Sequence, residues 1–439
     1  MTEYVTIEKK VYEKLLKTIE VMQKEIDRLN NELRKYKNEN TPPSSNKHLK
    51  GNTQGRQATG GKRGAPEGHE GVTRDQRPDD YQQVDAHECP NCHGDHLEDI
   101  DTIKATVEEI PVPVRPKVTE TIIHKKRCKD CGKEFIPLQN TVPLQGKFGV
   151  NIMVLVLMMK FLLRGVLRKT ASFLEYGFAF KITPASVNSI VKRTADAATG
   201  EYEALKNRVR NATKVHADET SFSVLGINYW LWVFRTDNDM LFVIRKSRGQ
   251  DVLREILGDN YSGILVCDCW RVYDFLVKAV IQRCWAHLLR KSKMLTTVPG
   301  MHFHEKLSEM FNEISEFNES NPTEDQRKRR YNKMTKKLSD LITYYGKYDE
   351  VRPVVKYIDN HFEQWFTCIR FPNIEPTNNL AEQGIRESVM YRKIIGAFRS
   401  IEGAGYYERL ASLFATWQMR GLDVQVELRQ MLIKNLCLS

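Results

Sequence analysis

Strand-length apolar runs follow one another between residues 213 and 284, and they constrain the fold more than any other feature of the chain. The polar triplet Asp237-Asn238-Asp239 separates two of these runs and is typical of a hairpin turn. The run that ends at Asp268 has the length of a buried strand. The predicted strands are 214–223, 229–236, 240–246, 263–268 and 279–284, with a helix at 271–277.

The sequence after these runs is helical in character. A basic helix begins at Trp285, and residues 301–372 are highly charged. Three antiparallel strands, a fourth strand beside the first and flanking helices describe the ribonuclease H architecture. We therefore predict a multi-domain α+β protein. Its ribonuclease H-like domain comprises 211–295 and 375–439, with a helical insertion at 296–374 and late helices at 406–417 and 424–436.

Three acidic residues occupy positions suited to metal-dependent DNA chemistry. Asp218 ends the run Lys214–Asp218, Asp268 ends an apolar run that begins at Gly263, and Glu382 lies at the start of a predicted helix. Mg²⁺ prefers oxygen ligands and keeps several waters, so few protein carboxylates are needed to hold it. Two such ions about 3.5–4 Å apart can activate a water or a 3′-hydroxyl and stabilise the leaving oxygen of a phosphodiester. We predict Asp218, Asp268 and Glu382 as catalytic ligands of two Mg²⁺ or Mn²⁺ ions.

Two other acidic residues compete for these places. Asp274 competes with Asp268, but it falls inside the helix predicted at 271–277. Glu219 neighbours Asp218, yet alternation along a strand points its side chain to the opposite face. Both therefore rank below the three carboxylates chosen.

His287 lies in the basic helix and admits several interpretations. It could orient a scissile phosphate. It could also bind a further metal together with the nearby thiols of Cys284, Cys267 and Cys269. Core packing of the helix is the favoured interpretation.

Two Cys-x-x-Cys motifs predict a structural Zn²⁺ site in a β-rich ribbon at 81–138, because four thiolates complete a tetrahedral zinc shell. Residues 107–118 alternate Val, Ile and Pro, as short strands would. Four unliganded buried thiols are the alternative, and three nearby histidines rank below the cysteines as ligands. The predicted ligands are Cys89, Cys92, Cys128 and Cys131; the histidines are His87, His93 and His96.

The second half of this ribbon carries a basic edge suited to phosphate contact. The basic residues are Lys125, Lys126, Arg127, Lys129 and Lys133.

The N-terminal segment carries a heptad pattern and predicts a coiled coil at 8–40, although a helix packed on the rest of the chain stays an alternative. Residues 41–80 form a basic, glycine-rich linker with few apolar residues. It is either a tether or a tether that also lies against DNA phosphates.

Residues 145–208 are predicted to be helical and to bind DNA. A strongly apolar helix is expected at 150–167, a second begins at Thr170, and a third follows Thr183 with Pro184 in its first turn. Two short helices joined by a turn suggest a helix-turn-helix, and a plain helical bundle is equally consistent. The groove-facing residues would be Ser186, Asn188 and Ser189.

The charge balance favours an anionic partner. Lys and Arg number 67 against 56 Asp and Glu, which gives a net charge of +11. The longest apolar run, 152–159, is too short to span a bilayer. The sequence begins without a secretory signal, so its nine cysteines argue against a disulfide framework. We expect a cytoplasmic, nucleoid-associated prokaryotic protein without a membrane partner.

At several motifs the chain resembles the transposases of the insertion sequence 66 family. The order of heptads, glycine-rich linker and paired Cys motifs is similar too, so the resemblance covers nearly the whole chain. The sequence departs from the family pattern at Cys269-Trp270, where the family usually has Gly-Tyr, and at Gln383, where it often has Arg. The matching motifs are His216-Ala217-Asp218-Glu219-Thr220, Cys284-Trp285-Ala286-His287 and Asn378-Asn379-Leu380-Ala381-Glu382, with a closing region from Arg392 to Arg409.

This resemblance implies a DDE transposase with Asp218, Asp268 and Glu382 as metal ligands. Its partners would be double-stranded DNA, as element ends and target, at least one further copy of the chain, and possible accessory proteins of the element. The expected DNA-binding residues are Lys125, Lys126, Arg127, Arg386, Arg392 and Lys393.

Two other functions remain open at this point. A non-catalytic, zinc-containing DNA-binding dimer such as a regulator would need the coiled coil and the ribbon but no carboxylate triad. A ribonuclease H-like nuclease or resolvase would need the triad but no heptads.

Overall fold

The computed structural model describes Thr18, Met22 and residues 91–95, 115–122, 124–135, 139–143 and 146–438. The chain divides into two compact units, Met1–Val114 and Arg115–Ser439. Thr18 and Met22 are helical. The rest of the predicted coiled coil, the linker and Cys89 lie outside the described residues.

The second unit begins with a small hairpin. Strand β1 (Lys126–Arg127) pairs antiparallel with β2 (Glu134–Phe135), and β3 (Gln139–Pro143) follows. Residues 115–118 form no strand. This corrects one end of the strands predicted between 107 and 118, where Pro116 has no N–H to donate to a ladder.

Four helices precede the main sheet: α1 (Val150–Phe161), α2 (Leu167–Phe178), α3 (Pro184–Ala197) and α4 (Thr199–Arg210). The single helix predicted at 150–167 is wrong in extent. The chain turns sharply after α1, with Arg164 at φ 53°. A Cβ on Gly165 would lie 2.8 Å from the Met159 carbonyl oxygen, so glycine permits this close return.

Helix α3 begins as predicted, because Thr183 accepts the Ser186 N–H and Pro184 occupies the first turn. It packs against α2, as a helix-turn-helix requires, and also against α1, as a bundle requires. Asn188 and Ser189 are exposed, whereas Ser186 is half-buried. Both interpretations therefore stay open.

The predicted strands form one mixed five-stranded sheet. Its strands are β4 (Lys214–Val224), β5 (Ile227–Arg235), β6 (Met240–Arg245), β7 (Ile264–Cys267) and β8 (Val280–Arg283), and helix α5 (Gln250–Ile256) lies between β6 and β7. The spatial order is β6-β5-β4-β7-β8. The first three strands are antiparallel, and β7 runs parallel to both β4 and β8. The predicted placement of a fourth strand beside the first is confirmed.

The helix predicted at 271–277 is wrong. Only a 3-10 turn, Arg271–Tyr273, forms there. Further three-residue turns follow, in which Leu276 N–H donates to Tyr273 and Ala279 N–H donates to Leu276. Tyr273 and Leu276 are buried three residues apart, a spacing that these tight turns satisfy without a longer helix.

Helices form the rest of the chain, and the helical character predicted for 301–372 is confirmed. The following segments share a separate apolar core that includes Trp285, Phe303 and Trp365. They are α6 (Trp285–Ser292), α7 (Val298–Glu319), α8 (Glu324–Tyr345), α9 (Arg352–Asp359), a 3-10 turn (Phe362–Trp365) and α10 (Thr367–Arg370). The last elements are α11 (Asn379–Ile395), α12 (Ile401–Met419), α13 (Val424–Leu436) and β9 (Cys437–Leu438), which pairs with β3.

Both faces of the sheet are covered. Val215, Ala217 and Trp232 face the core shared with the N-terminal helices. Phe222, Leu231 and their neighbours face α11 and α12. This alternation along β4 decides which side chains can meet α11.

Helix α12 also covers the exposed edge of β6. Side chains four residues apart, Glu408, Ser412 and Thr416, accept the N–H groups of Ile244, Phe242 and Met240 at 2.8–3.0 Å. An edge strand otherwise presents unpaired donors to other chains. The architecture is therefore α+β with a protected mixed sheet, and no helix in the described part of the chain is long and apolar enough to cross a membrane.

Candidate active site

Two of the predicted catalytic carboxylates lie level with each other on neighbouring strands. Strands β4 and β7 run parallel, and their pairing ends at His216 opposite Val266. Two residues further along the chain, Asp218 lies within β4 and Asp268 directly follows β7. Because the strands are parallel, this register brings both side chains to one edge of the paired segment.

Glu382 reaches the same region from the first turn of α11, which packs against β4 and β5. A buried asparagine joins this helix to the sheet. Asn378 donates its side-chain N–H to the Ala217 carbonyl oxygen at 2.7 Å, and its Oδ1 lies 3.3 Å from His216 Nδ1. Its backbone N–H donates to Cys284 Sγ at 3.1 Å. Asn378 therefore fixes the start of α11 beside Asp218.

Asp218 is buried and lies within electrostatic reach of three other carboxylates. Burial raises the pKa of Asp218 well above its usual range, and neighbouring carboxylates add to the effect, in descending order Glu219, Asp268 and Glu382. Nearby like charges disfavour the ionised form of a buried carboxyl group. The three predicted ligands all offer carboxylate oxygens, the donors that a hard divalent cation prefers. In the described residues, however, their oxygens do not all lie within 4.8 Å of one another.

Asp268 is held by its own loop. Its Oδ1 accepts the Trp270 N–H at 3.0 Å, and its backbone carbonyl oxygen accepts Arg283 Nη1 at 2.7 Å. The competing residue Asp274 forms an ion pair with the fully buried Arg283. Because the buried Arg283 guanidinium cannot turn away to solvent, Asp274 stays paired and is poorly suited to a metal.

Glu219 occupies a different environment from its neighbour Asp218. It accepts hydrogen bonds from Arg248 at 2.7 Å and from the Tyr273 hydroxyl at 3.0 Å. Burial, and then the charge of Asp268, raise the pKa of Glu219 to about 7. The Arg248 guanidinium lies 3.1 Å from the Trp270 ring centroid and 4.3 Å from that of Trp230. A cation held between two aromatic rings is stabilised by both.

The Glu382 carboxylate faces the basic side of α6. Arg290 Nη2 donates to Glu382 Oε1 at 2.7 Å, and His287 Nδ1 lies 3.8 Å from the same oxygen. Ligand atoms of Cys284, His287 and Glu382 all lie within 4.8 Å of one another. His287 therefore faces the candidate site rather than the apolar core.

The predicted DNA-binding residues fall into two groups. Some are exposed, and others form ion pairs or hydrogen bonds within the protein. Lys126, Arg386 and Lys393 are exposed. Lys125 and Arg127 are exposed as well, but both form ion pairs with Glu134 across the hairpin. Arg392 is half-buried and donates to the Ser221 carbonyl oxygen.

One of the predicted zinc motifs is described in full. The Cys128 N–H donates to the Lys133 carbonyl oxygen, and Gly132 closes the turn at φ 71°. Backbone N–H groups of Cys131 and Asp130 lower the pKa of Cys128. A turn that favours the thiolate fits a zinc ligand. In the first unit Cys92 is exposed.

Sequence reasoning missed three residues that shape this site: Asn378, Arg290 and Arg248. Asn378 directly precedes a helix, a position where its side chain is ordinarily expected to cap the helix. Arg290 lies one turn beyond His287, and this spacing places both on one helix face. Arg248 offers no comparable signal in the sequence.

Two family models match the chain. The model described as Transposase IS66 family matches residues 145–406, and the model described as zinc-finger binding domain of transposase IS66 matches residues 87–132. The first match covers more than half of the chain and includes every element of the candidate site. No curated protein matches the chain.

Proposed function

The chain belongs to the IS66 family of transposases, and from this premise we propose that it is a DDE transposase. It binds the terminal inverted repeats of an insertion sequence and catalyses DNA cleavage and strand transfer. The single observation that carries the proposal is the register of β4 and β7, which sets Asp218 level with Asp268. The helix that carries Glu382 packs against β4. A non-catalytic DNA-binding dimer has no use for such a cluster.

The sheet order supports a ribonuclease H-like catalytic domain. Three antiparallel strands are followed by two parallel strands on the side of the first, and helices cover both faces. In this proposal 211–295 and 375–439 form the catalytic domain, and 296–374 form an inserted helical domain with its own core. The helices at 145–208 contact DNA.

We assign the divalent cations to Asp218, Asp268 and Glu382. When bound, two Mg²⁺ or Mn²⁺ ions supply an activated water or 3′-hydroxyl and stabilise the leaving oxygen of the phosphodiester. Other residues of the chain fix the positions of these carboxylates. Asn378 anchors the helix of Glu382, and the Trp270 N–H orients Asp268.

Arg290 has a second task in this proposal. Its side chain is 40% exposed and lies against Glu382. It balances the glutamate charge before DNA arrives and can turn to a phosphate oxygen afterwards. Arginine suits this exchange because its planar donors match carboxylate and phosphate alike.

The remaining parts of the chain serve assembly and DNA binding in this proposal. The four cysteines of the two Cys-x-x-Cys motifs bind one structural Zn²⁺ ion. Exposed basic residues contact the DNA backbone, and Arg392 contributes chiefly by joining α11 to β4. The heptads at 8–40 join two or more copies of the chain, and this assembly brings the two element ends together. The reaction takes place in the cytoplasm. Accessory proteins take part where the element encodes them.

A matched pair of isosteric variants tests the assignment of the second aspartate. Asp268→Asn and Asp274→Asn are compared in a strand-transfer assay with Mg²⁺ and labelled flanking DNA. We expect Asp268→Asn to abolish cleavage with DNA binding retained, because phosphate contacts elsewhere supply affinity. Asp274→Asn should retain cleavage. Near-normal cleavage by Asp268→Asn contradicts the assignment.

A further inference from the structure

A thiol, an imidazole and a carboxylate meet beside the proposed catalytic cluster. Cys284 directly follows β8, His287 lies in the first turn of α6, and Glu382 lies in the first turn of α11. Their ligand atoms lie within 4.8 Å of one another, and no second group of this kind occurs among the described residues. Two helices and a strand end thus converge on one point.

The chemistry of this group differs from that of the aspartates. Sulfur and nitrogen donors favour borderline-soft ions such as Zn²⁺, whereas Mg²⁺ requires oxygen donors. Zinc bond lengths of about 2.0–2.3 Å place the donor atoms of a tetrahedral site roughly 3–4 Å apart. Small side-chain rotations therefore close the observed separation onto an ion.

The surroundings prepare this group for a cation. The Asn378 N–H already points at Cys284 Sγ at 3.1 Å and would stabilise a thiolate there. One thiolate and one carboxylate together balance the charge of a divalent ion. Arg290, which is partly exposed and pairs with Glu382 Oε1, turns to solvent when the ion binds. Three protein ligands leave a fourth position open to solvent or to DNA, as in zinc sites that are not purely structural.

We propose that Cys284, His287 and Glu382 bind a Zn²⁺ ion distinct from the ion of the two Cys-x-x-Cys motifs. The second part of the inference rests on the proposed function: Zn²⁺ binding here withdraws Glu382 from the catalytic cations. Glu382 Oε1 already faces His287 and Arg290. Zinc therefore inhibits the Mg²⁺-dependent reaction by competing for one shared ligand.

Metal analysis of the full-length protein tests the site without any assay of activity. The wild-type chain should bind about two Zn²⁺ ions, and Cys284→Ser and His287→Gln should each bind about one. Cys267→Ser is the matched control, because Cys267 is equally buried but contacts Arg283 instead. This control should still bind about two ions.

A complementary variant leaves the proposed site untouched in case Cys284→Ser folds poorly. Cys128→Ser removes a ligand of the Cys-x-x-Cys pair and should still bind about one ion. With Co²⁺ in place of Zn²⁺, this protein should show the visible absorption bands of a tetrahedral thiolate site. A wild-type stoichiometry of about one, lost completely in Cys128→Ser, overturns the proposal.

The competition is tested separately by adding Zn²⁺ to Mg²⁺-dependent cleavage. Cleavage by the wild-type protein should fall with added zinc, and the ratio of rates with and without zinc should approach one in His287→Gln. Equal zinc sensitivity in both proteins overturns the competition. If no DNA cleavage occurs at all, the proposed function fails, while the zinc stoichiometry still decides whether the site exists.

Discussion

Two adjacent carboxylates on β4, Asp218 and Glu219, have the same chemical group in different electrostatic environments. Glu219 has a protein cation and a hydroxyl against it, supplied by Arg248 and Tyr273. Asp218 has no ion pair within the described part of the chain, and its electrostatic neighbours are carboxylates. When a buried carboxylate has a protein cation against it, removal of that cation destabilises the fold. A buried carboxylate that is surrounded by like charges requires a cation from outside.

Removal of each carboxylate charge in turn tests whether Asp218 and Glu219 have different roles. Asp218→Asn should reduce Mg²⁺-dependent DNA cleavage by about 1,000-fold or more, because transition-state charge loses its stabilisation. Glu219→Gln should retain most of the cleavage rate, since Arg248 already neutralises Glu219. Single-turnover cleavage of labelled DNA measures both, and a mobility-shift assay confirms that binding persists. Equal losses in the two variants would show that the two carboxylates share one role.

For the Glu219 pair, we predict that removal of the cation lowers the stability of the fold rather than the rate of DNA cleavage. Arg248→Ala leaves Glu219 buried without its cation and removes the stacking on two tryptophans. We expect the free energy of unfolding to fall by about 3 kcal/mol. Urea denaturation followed by circular dichroism measures this change.

The matched control for Arg248 is Arg254→Ala. Arg254 pairs with Asp259, and both side chains are more than half exposed. Its loss should cost at most about 1 kcal/mol, because water screens exposed ion pairs. If the two arginine variants lose equal stability, the Arg248 pair does not support the fold in the way described.

A third carboxylate, Glu375, also has protein cations near it, and we expect it to have a smaller effect on stability. Burial alone would raise its pKa, but contacts with His216 and the charge of Lys214 outweigh burial and lower it to about 2. Because the pKa is lower in the folded state, this contribution to stability is present above the unfolded value and lost as pH falls toward 2. Acid denaturation curves should therefore be flatter between about pH 4.5 and pH 2 in Glu375→Gln. An unchanged slope contradicts the assignment.

Much of the fold followed from local patterns. Strand-length apolar runs predicted all five strands of the main sheet, and the placement of the first four was predicted as well. The helix boundaries after α1 and at 271–277 were missed, because Gly165 returns the chain against Met159 and Tyr273 packs inward. Such contacts depend on residues that are distant in sequence or on backbone geometry.

The site was predictable where a residue follows a strand or starts a helix, as Asp268 and Glu382 do. Asp218 was also predicted, although it lies within β4 rather than at its end. The supporting residues were not, because their roles arise from packing. Arg248 joins Glu219 across 29 positions of sequence, and Asn378 joins Ala217 across 161. Hydrogen bonds at such separations leave no periodic signal.

Metal binding in the absence of DNA tests the central claim most directly, namely that Asp218 belongs to a site completed by a cation from outside. Electron paramagnetic resonance of free Mn²⁺ reports its uptake by the full-length protein. Asp218→Asn should weaken Mn²⁺ binding by about tenfold or more, and Glu219→Gln should leave the affinity nearly unchanged. If Asp218→Asn binds Mn²⁺ as tightly as the wild-type protein, the carboxylate cluster is not the catalytic metal site.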